Sequence, residues 1–198
     1  MKLVICVDDS FGYSFNNRRQ SFDKGMRRHL RKVLGDDIAR LYVNDYSERS
    51  LMRDGFYSPM EIVKRFQIPA AAKEAFLSDA SEQDAYAFVE NVPLEGFYHC
   101  IDEIYLYQWD KRYPSDLKFP QEFLNSFDVV EEEAFSGTSH DEIRFTHYRL
   151  KTGSCETPEA SSEAALEEAS EPVTENTPKI DPTETSVTTN KEEQEVNS

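Results

Sequence analysis

The run Lys2 to Val7 is short, apolar and rich in β-branched residues, and it predicts a buried strand. Two aspartates and a glycine follow it, so residues 8 to 20 read as a crowded polar connection. Phe22, Met26, Leu30, Val33 and Leu34 then recur at helical spacing and predict a buried stripe. Ser21 is the expected cap of that helix, Asp23 an anion in its first turn, and Gly35 its end. Lys24, Arg27, Arg28, Arg31 and Lys32 fall on the other faces. Residues 39 to 44 predict a second strand. Ser58-Pro59-Met60-Glu61 combines a capping serine, proline at the first helical position and a reciprocal glutamate, so a helix starts there and runs toward Gln67. Pro69 restarts the pattern as a helix over 70–77. A linker over 78–84 leads to a strand over 85–90. Residues 94 to 101 are helical by pattern, 103 to 109 alternate as a strand, and 127–135 with 142–150 form the arms of a closing hairpin. The order βαβααβαβββ predicts an α/β fold with a single mixed sheet flanked by helices.

Composition divides the 198 residues in two. Residues 1–151 suffice for one hydrophobic core, whereas 152–198 lack aromatic residues and hydrophobic periodicity and carry 12 acids against 2 bases. That tail reads as a disordered acidic extension rich in Glu, Ser, Thr and Pro, and it holds most of the net charge of −16. Cys6, Cys100 and Cys155 are too few and too scattered for a disulfide framework or a metal cluster, which points to a reducing, cytoplasmic setting. No stretch approaches the roughly 20 apolar residues that cross a bilayer.

Charge sharpens the picture at one place. Residues 16 to 32 carry seven basic side chains and one acid, Asp23. Asn16, Asn17, Arg18, Arg19, Gln20 and Asp23 are therefore the expected lining of a pocket at the strand-to-helix connection, with Arg18 and Arg19 held by Asp8, Asp9 or Asp23 so that a guanidinium meets an anion at the helix N-terminus. The plainer alternative is a solvated helix face whose arginines pair with Asp8 and Asp9. Those aspartates, joined by Asp23, also have the oxygen chemistry of a hard-cation site, although adjacent aspartates after a strand more commonly organise a turn. Tyr105, Tyr107 and Trp109 share one strand face, so Tyr107 and Trp109 could support a flat ligand or pack against a helix. The four histidines show no metal-ligand spacing. His29 reads as surface helix and His147 as a strand position. Ser139-His140-Asp141 unites triad residue types, but neighbours in one loop cannot take triad geometry, and a capped turn is the better reading. Nothing in the sequence names a cofactor.

Two families resemble the chain. The segments Cys6-Val7-Asp8-Asp9, Phe15 to Asp23, Phe88-Val89-Glu90-Asn91 and Phe135 to Ile143 resemble a small bacterial family carried under the label ribonuclease Z, over essentially residues 1 to 150. The His-x-His-x-Asp-His motif of true ribonuclease Z enzymes is absent, so the resemblance implies an RNA partner without zinc chemistry. The order of elements, together with Glu103 to Trp109 and Ser115-Asp116-Leu117-Lys118-Phe119-Pro120, resembles dihydrofolate reductase with a shortened middle. That resemblance implies a reductase-like layout, with Asp23 near the family's substrate-binding carboxylate. Glu90-Asn91 stands where the family has two glycines that admit a cofactor. The expected function is binding of an anionic small molecule or nucleotide-like group. RNA association and a non-catalytic protein-interaction module, its arginines meeting an acidic partner, are the alternatives.

Overall fold

A computed structural model describes residues 1–65 and 75–152. Residues 66–74 and 153–198 lie outside the described residues, and with them the expected run toward Gln67, residues 70–74 of the helix expected over 70–77, and all but the first residue of the expected tail. The core is a mixed sheet of six strands with apolar clusters on both faces. Chain order is β1 (Lys2–Val7), β2 (Gly12–Phe15), β3 (Arg18–Arg19), α1 (Lys24–Leu34), β4 (Leu41–Tyr42), α2 (Asp45–Arg53), α3 (Pro59–Arg65), α4 (Ala75–Glu82), β5 (Tyr86–Val89), β6 (Glu103–Trp109), β7 (Leu117–Lys118), β8 (Phe127–Phe135) and β9 (Ile143–Leu150). The large sheet runs β4-β5-β1-β6-β9-β8. β4, β5, β1 and β6 are parallel, while β9 and β8 add an antiparallel rim.

Alternation sorts the side chains. Leu3, Ile5 and Val7 of β1, Ala87 and Val89 of β5, and Ile104 and Leu106 of β6 pack on one face with Phe76, Leu77 and Ala80 of α4. Val4, Phe88, Tyr105, Tyr107, Trp109 and Phe145 point the other way, onto Met26, Leu30 and Leu34 of α1. Both faces of β1 are therefore covered, as a central parallel strand requires.

Several elements differ from the sequence expectation, each for a physical reason. Residues 8 to 20 are not a simple strand-to-helix loop. Asn16 and Asn17 both take positive φ, 51° and 59°, and turn β2 back onto β3. With β7 these strands make a second, small sheet in the order β3-β2-β7. Asparagine tolerates the left-handed region that a two-residue hairpin turn demands. Replacing Asn17 by valine should cost about 1–2 kcal/mol in chemical denaturation, because a β-branched side chain is strained there, whereas glycine should be tolerated.

Asp23, not Ser21, caps α1: its backbone is extended and its carboxylate accepts the Met26 N–H at 3.0 Å. Gly35 ends the helix at φ 51°, as expected. The second strand shrinks to Leu41 and Tyr42, because residues 35–40 form a 3-10 turn. α2 has too narrow an apolar stripe to announce itself; Asn44 starts it by accepting the Ser47 N–H at 3.0 Å. Ser58 and Glu61 form the expected reciprocal cap. Helix α4 extends through the expected linker to Glu82. Residues 94 to 101 yield only a 3-10 turn over Tyr98–Cys100, because Gly96 sits at φ 86° and breaks the helical path. His29 is buried, stacked on Phe135 at 4.6 Å and bonded to the Tyr107 hydroxyl and Glu133, so it is no surface residue.

Candidate functional site

The carboxyl ends of β4, β5 and β1 open on one side of the sheet, the edge at which parallel sheets present ligand sites. Three segments close over that edge: the β2–β3 hairpin, the first turns of α1, and α2. Their contact is ionic. Glu90, directly after β5, is buried and faces two guanidiniums, Arg19 at 3.2 Å and Arg27 at 3.7 Å. Ser50 of α2 accepts from both, at 2.9 Å and 3.0 Å, and Asp54 closes the network on Arg27. Phe22 lies under Arg27 with the guanidinium 4.3 Å from its centroid, and Arg19 lies 5.2 Å from the ring of Tyr46. Beside this network Asn44 donates to Asn91 at 2.8 Å, and Asn91 donates to the Asn17 carbonyl at 2.9 Å, which ties the hairpin tip to β5.

The sequence-derived site residues separate. Arg19 joins the buried network through Glu90, not through Asp8, Asp9 or Asp23. Asn16, Asn17 and Arg18 stand exposed at the hairpin tip. Gln20 bonds Asp8 at 3.2 Å, and Asp8 also accepts the N–H groups of Ser10, Gly12 and Tyr113, so it organises loops. Asp9 meets Arg112 at the surface. No group of three or more His, Cys, Asp or Glu side chains converges for a metal among the described residues. Tyr107 and Trp109 are buried under α1 and the 136–142 turn, Trp109 stacked on His140 at 4.4 Å, so neither ring presents a face to solvent.

Asp23 is the most committed residue of the set. Its carboxylate accepts the N–H groups of Met26, Thr138 and Ser139 and the Ser139 hydroxyl. Burial alone would raise its pKa, but these donors, led by the Ser139 N–H, overcome that and hold the carboxyl well below the ordinary range. Gly137 approaches so closely that a Cβ there would strike the carboxylate. The helix N-terminus thus already has its anion, supplied by the chain itself. Burial pushes the Cys6 thiol at the end of β1 well up, with nearby Glu90 adding to the effect, so it is no thiolate at neutral pH.

The concavity missed by the sequence reading lies one turn further along α1. Phe22, Lys24, Arg27, Arg28, Arg31, Asp54, Gly55 and Phe56 enclose about 240 Å³ between α1 and the loop after α2. Arg31 is spent on Glu61, at 3.0 Å and 3.1 Å, and on the Phe56 carbonyl. Arg27 belongs to the network above. Lys24 and Arg28 are exposed, and neither forms an ion pair among the described residues. The signal was present in the basic spacing of the helix, but which bases would be neutralised depended on distant partners.

No family model matches the chain, and no curated protein matches it. Among solved structures it is similar to a dihydrofolate reductase from Enterococcus faecalis complexed with NADP(H) and RAB-propyl. Identity is 9%, the match covers 76% of this chain and 96% of that one, and the TM-score is 0.47. A likeness of that depth transfers no residue role and no ligand. Among the described residues, no helix is long and apolar enough to cross a membrane.

Proposed function

We propose that the protein binds an anionic small molecule with a flat apolar part, of nucleotide-like character, in the pocket between α1 and the loop after α2. One observation carries this reading: Lys24 and Arg28 face a concavity walled by Phe22 and Phe56 with no acidic partner of their own among the described residues. Cations at a ligand pocket give charge-assisted bonds to a phosphate or carboxylate, and the rings cover an apolar ring system. At about 240 Å³ the space is smaller than most ligand pockets, so it fits a small ligand or one part of a larger one. The buried network behind it holds the wall in place. Arg27 supports the pocket there while its own charge is met by Glu90 and Asp54.

Calorimetric titration with mononucleotides, phosphorylated sugars, pterins and dicarboxylates tests the reading. Arg28→Ala should weaken the best of these ligands by about 1.5–3 kcal/mol, the scale of a hydrogen bond to a charged group, while moving the melting temperature little. Arg144→Ala, an exposed arginine on β9 away from the pocket, is the control. Equal losses in both variants would mean diffuse charge and no pocket. Absence of binding across the whole panel would remove the proposal.

A further inference from the structure

We propose that the outer edge of β8 docks an extended, basic segment of another protein as an added strand. β8 is the last strand of the six-stranded sheet, paired on one side with β9 and, among the described residues, with no strand on the other. It is nine residues long, and everything between Phe127 and Phe135 is exposed. Val129 and Val130 remain 53% and 47% accessible, unusual for valines in a sheet. A row of backbone donors and acceptors therefore faces outward along a strand that, among the described residues, the helices touch only through His29 of α1 at Glu133 and Phe135.

Charge selects the occupant. The strand carries Asp128, Glu131, Glu132 and Glu133 and no basic residue. Asp128 lies across from Arg149, and Glu133 turns to His29 at 3.2 Å. Glu131 and Glu132 make no ion pair among the described residues, and being adjacent they project from opposite faces of the sheet. A second copy pairing edge to edge would set these carboxylates against their equivalents, which is destabilising. Residues 152–198, with 12 acids and 2 bases, carry the same sign. The edge thus repels both of the chain's own candidates and is complementary, on both faces, to an extended run of Lys and Arg. Backbone pairing supplies the affinity, and the acids supply the choice of partner. The register shift between Val129 and Glu131 bends the strand, so the added strand runs along Glu131 to Phe135.

The experiment uses the full chain and a labelled probe peptide in which Lys-Arg-Lys is flanked by valines and threonines. A control peptide of equal charge has proline in place of the flanking valines and cannot form a strand. The expected results are saturable binding of the first peptide and slowed amide exchange over residues 131–135. Affinity should drop at least roughly tenfold both for the proline peptide and for the Glu131→Lys/Glu132→Lys variant. Equal binding of the two peptides would show diffuse attraction and overturn the proposal, as would unchanged exchange along β8. Self-association of the unmodified protein that vanishes in the double variant would assign the edge to a second copy instead. Exchange on the unmodified protein decides the matter even if the double variant folds poorly.

Discussion

Asp23→Ala is expected to cost about 3 kcal/mol of folding stability, because it removes a helix cap and the acceptor of several buried and part-buried hydrogen bonds at once. The Met26, Thr138 and Ser139 N–H groups would each lose a charged partner, the first in a buried position and the other two in part-buried ones. The loss should spread beyond α1. The 136–142 turn is fastened to the helix through Asp23, with the Ser139 hydroxyl also reaching the Phe22 carbonyl and Thr138 accepting the Lys24 N–H. The first turn of α1, which carries Lys24 into the proposed pocket, would loosen with it. Urea denaturation measures the cost; a change below about 1 kcal/mol would show that the turn finds other acceptors.

The same carboxylate sets an acid limit. Its folded pKa is depressed, so its contribution is complete above the unfolded value and is lost as pH falls toward the folded one. Unfolding free energy of the unmodified protein should therefore decline below about pH 4, while Asp23→Asn, less stable at neutral pH, should decline less steeply over that interval. Parallel pH profiles for the two proteins would refute this account.

Glu90→Ala is the second large effect, about 3 kcal/mol, because it leaves the buried Arg27 guanidinium and the half-buried Arg19 guanidinium without the carboxylate between them. Asp54 still meets Arg27, so the larger part of the stranded charge falls on Arg19. Adding Arg19→Ala to Glu90→Ala should recover part of the loss. A double-mutant cycle with no coupling between the two positions would mean that the network is held by Ser50 and Asp54 alone.

The glutamate also bears on the dihydrofolate reductase resemblance. A reductase-like role for Asp23 would require a carboxylate free to face a substrate, yet this one is consumed by its own helix and the neighbouring turn. At the end of β5, Glu90 and Asn91 are buried and bonded into the hairpin and α2. Side chains of the chain itself take up much of the strand edge; the concavity that remains there, about 310 Å³ lined by Asn44, Asp45, Tyr46, Arg49 and Asn91, carries one arginine, whereas the pocket beside it has both Lys24 and Arg28.

What could be read along the chain was local. The apolar run of β1, the alternation of β6, the closing hairpin, the Ser58–Glu61 cap and the Gly35 stop are encoded within a few neighbouring residues, by side-chain period, cap chemistry and permitted φ. The surplus of bases between Asn16 and Lys32 was equally visible as composition. Only the tertiary structure decided which of those bases are spent. Arg19 and Glu90 are 71 residues apart in sequence, Asp23 and Ser139 are 116 apart, and His29 and Glu133 are 104 apart. No periodicity links such pairs, because an ion's partner is whatever charge the packed sheet brings within a few ångströms. Burial then makes that partner compulsory, since an unpaired charge inside the protein costs more than the contact itself contributes. For that reason the sequence by itself marked a basic helix beside a polar loop, while packing determined that the loop became a hairpin, the helix end took its own aspartate, and Lys24 and Arg28 were left facing the pocket.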